Sequence, residues 1–296
     1  MEQSAWITKN CPSLKHKTAA LTGATGDLGQ ALCRGILTLG GSLLLLDRDP
    51  EKDQRLKKQL LLEFPGACID SIPLDLTDLG SVDRAVEALQ RKKPDLLIHN
   101  AGVYMVPRFS CSTGLDNIFQ TNFAAPYYLT RRLLPTLSQA GGKVLVMGSL
   151  AHNYRRSDPA DPALSENPHC SLVYGNTKRY LMFAFAELLK GWPQVDFAIA
   201  HPGVSFTHMS NHYPGWLYPL LRPFLKALLL PPETAVRGML LALGTEVPQG
   251  FWIGPPVLNT WGNPARKPLK TCSAQEQRTI YETAERIYGR MTKEFV

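Results

Sequence analysis

Tyr174 and Lys178 stand four residues apart in Tyr174-Gly175-Asn176-Thr177-Lys178, a spacing that sets both side chains on one face of a helix. A free phenol titrates near ~10, too high for proton exchange at neutral pH. An ammonium beside it favours the phenolate and brings that value down. The pair therefore predicts a proton donor and acceptor, although the same spacing also arises as a surface pair. Upstream, Thr22-Gly23-Ala24-Thr25-Gly26-Asp27-Leu28-Gly29 closes an apolar run and opens an amphipathic stretch. Such a turn lets an anionic group approach a helix N-terminus with no side chain in the way. Asp47 ends the next apolar run, where a carboxylate can accept both hydroxyls of an adenosine ribose. Arg48 follows it and suits a 2′-phosphate, which Asp47 repels at close range. The residues favour NAD(H), with NADP(H) as the alternative.

These groups need a scaffold, and the chain supplies an alternating one. Thr18–Thr22, Ser42–Asp47, Ala67–Pro73, Asp95–His99 and Lys143–Met147 read as buried strands. Between them Leu28, Ala31, Leu32, Ile36 and Leu39, and then Val82, Ala85, Val86 and Leu89, repeat at helical spacing. Strands alternating with helices predict an α/β fold: a Rossmann-type, doubly wound parallel sheet with helices on both faces. The second half predicts a helix over Leu172–Lys190, a strand over Val195–Ala200, a helix over Pro232–Leu243, a short strand over Gly250–Ile253 and a C-terminal helix from Ser273. No repeat or long polar linker divides the chain, so residues 1–296 read as one domain, with 204–231 as a substrate-covering insertion. In that insertion Tyr213–Leu230 is apolar and broken by prolines, which predicts a mobile wall of an apolar pocket.

Composition bounds the partners. The 296 residues are 44% apolar and 19% charged, ordinary for a folded protein. Six cysteines form no CxxC pair and no cluster with histidine, so no metal site is expected. The net charge of +7 comes from scattered basic groups without interleaved aromatics, which argues against nucleic acid. No apolar run is long enough to span a bilayer and the N-terminus is not a secretory signal; a cytoplasmic protein is expected.

Taken in order, these motifs resemble the short-chain dehydrogenase/reductase family over nearly the whole chain, and are similar to its retinol dehydrogenase-like and protochlorophyllide reductase-like members. Gly23, Thr25, Gly26, Asp27, Leu28 and Gly29 match the cofactor turn. Asp75 and Leu76 match the adenine-side acid after the third strand. Asn100, Ala101 and Gly102 match the Asn-Ala-Gly motif, and Asn122 the helix asparagine. Ser149 matches the serine after the fifth strand, Tyr174 and Lys178 the tyrosine–lysine pair. Pro202, Gly203, Val204 and Thr207 match the segment over the nicotinamide. Two departures stand out. Asp27 occupies a position where the family's commonest turn has glycine, giving GxxGxxG; its side chain is expected to turn to solvent. Tyr174 stands 25 positions after Ser149, so a long connection, Asn153–Ser171, is expected beside the site.

The resemblance implies hydride transfer between a nicotinamide cofactor and a carbonyl or alcohol, lipophilic in the members it is nearest. It implies Tyr174 as proton donor and acceptor, Lys178 lowering its pKa and holding the ribose, Ser149 stabilising the substrate oxygen, and Asn122 positioning a water in a proton relay. It also implies a homodimer paired through Leu115–Leu137 and Leu172–Lys190, a monomer being the alternative. His152, His201 and Cys170 read as structural residues. Two other functions fit part of the pattern: a sugar-nucleotide epimerase or dehydratase of the extended branch, from GxxGxxG, and a non-catalytic dinucleotide-binding regulator.

Overall fold

The sheet is laid down by runs such as Leu43–Leu46, apolar at every position and therefore buried on both faces. In the computed structural model of the chain, residues 2–154, 157–164, 167, 169–203 and 230–293 are described. Among them eight strands form one sheet: β1 (Thr18–Thr22), β2 (Ser42–Asp47), β3 (Ile69–Pro73), β4 (Leu96–His99), β5 (Lys143–Met147), β6 (Asp196–Ala200), β7 (Phe251–Gly254) and β8 (Ala265–Pro268). Their order is β3-β2-β1-β4-β5-β6-β7-β8. All pairs are parallel except β7 with β8, where Ile253 faces Arg266. The chain reverses direction of travel between β1 and β4, so a crevice opens beyond their carboxyl ends.

The α-helices among the described residues are α1 (Glu2–Asn10), α2 (Asp27–Thr38), α3 (Pro50–Glu63), α4 (Leu79–Lys92), α5 (Asn117–Phe119), α6 (Ala125–Gln139), α7 (Cys170–Leu188), α8 (Pro232–Ala235), α9 (Arg237–Gly244) and α10 (Ala274–Lys293). They cover both faces, and one apolar cluster lies on each side of the sheet. One joins α4, α6, α7 and α10 through residues such as Val82, Leu133, Phe185 and Ile280. The other joins α1, α2 and α9 through Ile7, Leu32, Ile36 and Leu240. The doubly wound reading holds, with three differences in detail. The expected helix Pro232–Leu243 is two pieces, Pro232–Ala235 and Arg237–Gly244, which meet at Val236 (φ −79°, ψ −7°). Helix α1 and strand β8 were not anticipated; β8, Ala-Arg-Lys-Pro, is an edge strand too polar to announce itself. Most of the insertion over 204–231, including Val204, Thr207 and 213–229, lies outside the described residues.

Helix α10 lies along the two long helices expected to pair copies of the chain. Tyr127 and Arg131 of α6 bond Glu285, and Glu187 of α7 accepts from Gln277. Ile280, Ala284, Ile287 and Met291 fill the apolar seam. The chain thus covers this flank of α6 and α7 itself.

Candidate active site

The glycine turn is as tight as its sequence demands. Gly23 has φ +66°, and a Cβ there would come within 2.9 Å of the Ala101 Cα. At Gly29 a Cβ would sit 2.1 Å from the Gly23 carbonyl oxygen. Gly26 is the N-cap of α2 and no side chain caps the helix, so its first-turn N–H groups face the crevice as an anion site. Asp27 begins α2 and is half-buried rather than turned fully to solvent. The turn is tied to its neighbour strand by Asn100, whose side-chain amide donates to the carbonyls of Thr22 and Gly23 at 2.9 Å each. Thr22 Oγ1 in turn accepts from the N–H groups of Asn100 and Ala101.

Asp47 holds the turn from the other side. Its carboxylate accepts from Thr25 N–H (3.0 Å) and Thr25 Oγ1 (2.8 Å). Burial pushes its pKa above the usual carboxylate range, against these two hydrogen bonds. Arg48 is exposed beside it. Asp75 accepts from Thr77 N–H and Oγ1 in a local turn, and the Leu76 carbonyl accepts from the buried Gln120 amide.

Asn122 sits in a five-residue π-helical segment, Gln120–Ala124, between α5 and α6. Such a widened turn re-aims a side chain, and here the amide pairs with Val103 on both sides: it accepts from Val103 N–H at 2.8 Å and donates to Val103 O at 2.9 Å. It also donates to Thr177 Oγ1. Lys178 is buried and donates to Met147 O at 3.0 Å, one of its three donors. A Cβ at Gly102 would stand 3.5 Å from Asn122 Oδ1 and 3.6 Å from Lys178 Nζ. Gly102 therefore borders both groups, and the Asn-Ala-Gly segment brings the glycine turn and the lysine to one place.

Ser149 follows β5 as the N-cap of a 3-10 turn, Leu150–Asn153, and its hydroxyl accepts from Ala151 N–H. It hydrogen-bonds the Tyr174 phenol, which lowers the phenol pKa; burial outweighs that and holds it at about 12. Lys178 lies 5.7 Å from the Tyr174 ring centroid, and burial brings its own pKa down to about 8. Burial is the largest influence on the phenol, because a low-dielectric surround penalises the phenolate. Pro202 and Gly203 close the far side. Gly203 has φ +75° and donates to His201 Nδ1. His201 stacks on Trp252, with ring centroids 4.1 Å apart.

A model of the short chain dehydrogenase family matches residues 17–158, the half that builds the glycine turn and the serine loop. The chain belongs to the short-chain dehydrogenase/reductase family. It is an oxidoreductase of that family, whose members use nicotinamide cofactors on alcohols and carbonyls. Over 231 residues it is 32% identical to dehydrogenase/reductase SDR family member 13 of Bos taurus, covering 75% of this chain and 60% of that one. Over 293 residues it is 28% identical to the polyprenol dehydrogenase of Mus musculus, covering 94% and 85%. An uncharacterized protein from Mycobacterium paratuberculosis has the same fold, with a TM-score of 0.77, 23% identity and coverage of 96% and 97%.

In this short-chain dehydrogenase/reductase, sequence reasoning passed over three residues at the site. Tyr104, two beyond Gly102, meets the Tyr174 ring edge-on at 5.1 Å and pairs with Ser171. Thr177 Oγ1 donates to the Tyr174 carbonyl and accepts from Asn122. Arg108 reaches across to the Leu164 and Asn167 carbonyls and pairs with Asp116, clamping the long connection after Ser149. For Tyr104 the only signal was adjacency to the Asn-Ala-Gly motif. Arg108 carried none.

Proposed function

We propose that this chain reduces lipophilic aldehydes or ketones with NAD(H), Tyr174 supplying the proton. The carrying observation is convergence: Ser149, Tyr174, Lys178, Asn122 and the glycine turn meet around Gly102 at the carboxyl ends of β1, β4 and β5. The uncapped α2 terminus and the close-packed Gly23 and Gly29 fit a dinucleotide pyrophosphate. Asp47, fixed by Thr25 at the end of β2, would take the adenosine ribose and repel a 2′-phosphate; Asp75 and Leu76 would border the adenine. Pro202, Gly203, Val204 and Thr207 would cover the nicotinamide, and Lys178 would hold its ribose with the donors Met147 leaves over. When bound, the nicotinamide supplies the hydride.

This chain's own work is the proton and the oxygen. Ser149 and Tyr174 donate hydrogen bonds to the substrate oxygen and stabilise the charge that develops there. Tyr174 passes its proton to that oxygen, and Lys178 recharges it along a path that Asn122 keeps open. Burial keeps the phenol protonated at neutral pH, the form that donates. Around Tyr174 stand Tyr104 and the exposed Tyr154, an aromatic rim that supports a lipophilic substrate, as does likeness to a polyprenol dehydrogenase. Six free cysteines suit a reducing, cytoplasmic location, and α10 along α6 and α7 supports a monomer. A panel of decanal, farnesal, pyruvate and glucose with NADH and NADPH, followed by nicotinamide absorbance, tests the reading. Faster turnover of pyruvate or glucose than of decanal and farnesal overturns the substrate class.

A further inference from the structure

Lys178 has a neighbour on the next helical position that the site chemistry leaves unused. Arg179 is 2% exposed, and a buried guanidinium is costly unless every side of it is paired. Here it is. Nε and Nη2 fork onto the two carboxylate oxygens of Glu276 at 2.8 Å each. Nη2 also donates to Thr271 O (2.9 Å), and Nη1 to His152 O (3.0 Å). Glu276 additionally accepts from Ser157 N–H and Oγ. Burial pushes the Glu276 carboxyl up, but the Arg179 hydrogen bonds and charge prevail and hold it below the usual range.

The cluster leads straight to Ser149. His152 is fully buried. Its Nδ1 can only donate to Ser149 O, 2.5 Å away, which leaves Nε2 to accept from the Thr271 hydroxyl at 2.7 Å. Both ring nitrogens are thereby committed, and the tautomer follows from the partners. Phe183 and Trp252 pack edge-on against the ring. The loop that carries the Ser149 hydroxyl is therefore held at its carbonyl by His152. His152 is held at its ring by Thr271 and at its carbonyl by Arg179, and Arg179 is held by Glu276 of α10. A segment more than 120 residues downstream in sequence braces the serine from outside the site.

We propose that Thr271, Arg179 and Glu276 are positioning residues that aim the Ser149 hydroxyl, so that the C-terminal segment is part of the catalytic apparatus rather than a cover on the fold. The proposal rests on the reading of Ser149 as the oxygen-stabilising group. A hydroxyl displaced by a fraction of an ångström loses much of its effect on a developing charge, while the glycine turn, anchored by Asn100 and Asp47, does not touch this cluster. The loss therefore falls on kcat and not on cofactor affinity.

The variants are Thr271→Val, which removes the donor to His152 at an exposed residue; Thr271→Ser, which keeps it; and Glu276→Gln, which breaks the fork. Each is compared with wild type, using decanal and both nicotinamide cofactors, for kcat, KM and cofactor Kd. Hydrogen exchange of the 148–154 peptide is measured alongside. The expected result is a kcat about tenfold lower in Thr271→Val and Glu276→Gln, restored in Thr271→Ser, with cofactor Kd within about twofold and faster exchange confined to 148–154. The proposal is overturned by a kcat within twofold of wild type, or by unchanged exchange at 148–154. Exchange that rises everywhere together with loss of cofactor affinity also overturns it, since that is loosening of the fold. If wild type does not reduce decanal, the substrate reading fails on its own and the exchange measurement still decides the brace.

Discussion

At the scale of single residues, the proposed role of Tyr174 as proton donor makes the first prediction. Tyr174→Phe removes only the hydroxyl, so turnover should fall at least a hundredfold while cofactor Kd stays within about twofold; initial rates and a fluorescence titration on the same sample check it. Because burial holds the phenol near 12, the reductive rate should stay flat from pH 6 to 9. The oxidative rate should climb steadily with pH over that range as the phenolate becomes accessible. An oxidative rate independent of pH would remove Tyr174 from proton abstraction. Asp47 carries a second residue-scale prediction. Asp47→Ser deletes the charge that repels a 2′-phosphate and leaves Arg48 free to pair with one, so the ratio of NADP(H) to NAD(H) affinity should rise at least tenfold by titration. Tighter NADP(H) binding by wild type would mean that Arg48 rules the site.

At the scale of elements, the β1–α2 turn works because its backbone touches itself. Gly29→Ala would drive a methyl into the Gly23 carbonyl at 2.1 Å, a clash with backbone that no side-chain rotation relieves. We expect cofactor binding to be lost and the midpoint of thermal unfolding to fall by several degrees, read by calorimetry with and without cofactor. At Gly26, where the nearest atom is at 3.5 Å, alanine should leave the fold intact and weaken only cofactor affinity. The two glycines look alike in the sequence and differ in what surrounds them.

At the scale of the whole molecule, buried histidines tie stability to pH. His99 and His201 are held neutral by burial, with pKa near about 3, and burial also depresses that of His152. In the unfolded chain each binds a proton below about 6.5. For His99 and His201 the contribution is therefore complete above pH 6.5 and is lost as pH falls from there toward 3, by roughly 1 kcal/mol per pH unit for each of the two; His152 adds in the same direction. Melting temperature should drop between pH 7 and pH 5; a constant value over that interval would show the rings to be charged in the fold. The covered flank of α6 and α7 adds a second expectation, a single species of 32.8 kDa by light scattering. A species of twice that mass would show that copies pair elsewhere or displace α10.

The parallel sheet, the glycine turn and the tyrosine–lysine pair were legible in the sequence because each is local. Strand burial shows as unbroken Leu43–Leu46, the turn as glycines at fixed spacing, and the pair as two residues one helical turn apart. What the tertiary structure alone decided is what those residues meet. Asp47 turned out to grip Thr25, the Asn122 amide to be matched to Val103, and the Tyr174 phenol to be enclosed beside Ser149 and Tyr104. The brace from Glu276 through Arg179 and His152 to Ser149 joins segments from three distant parts of the chain. No spacing announces it, since a buried arginine looks like any surface arginine until the fold has taken away its water.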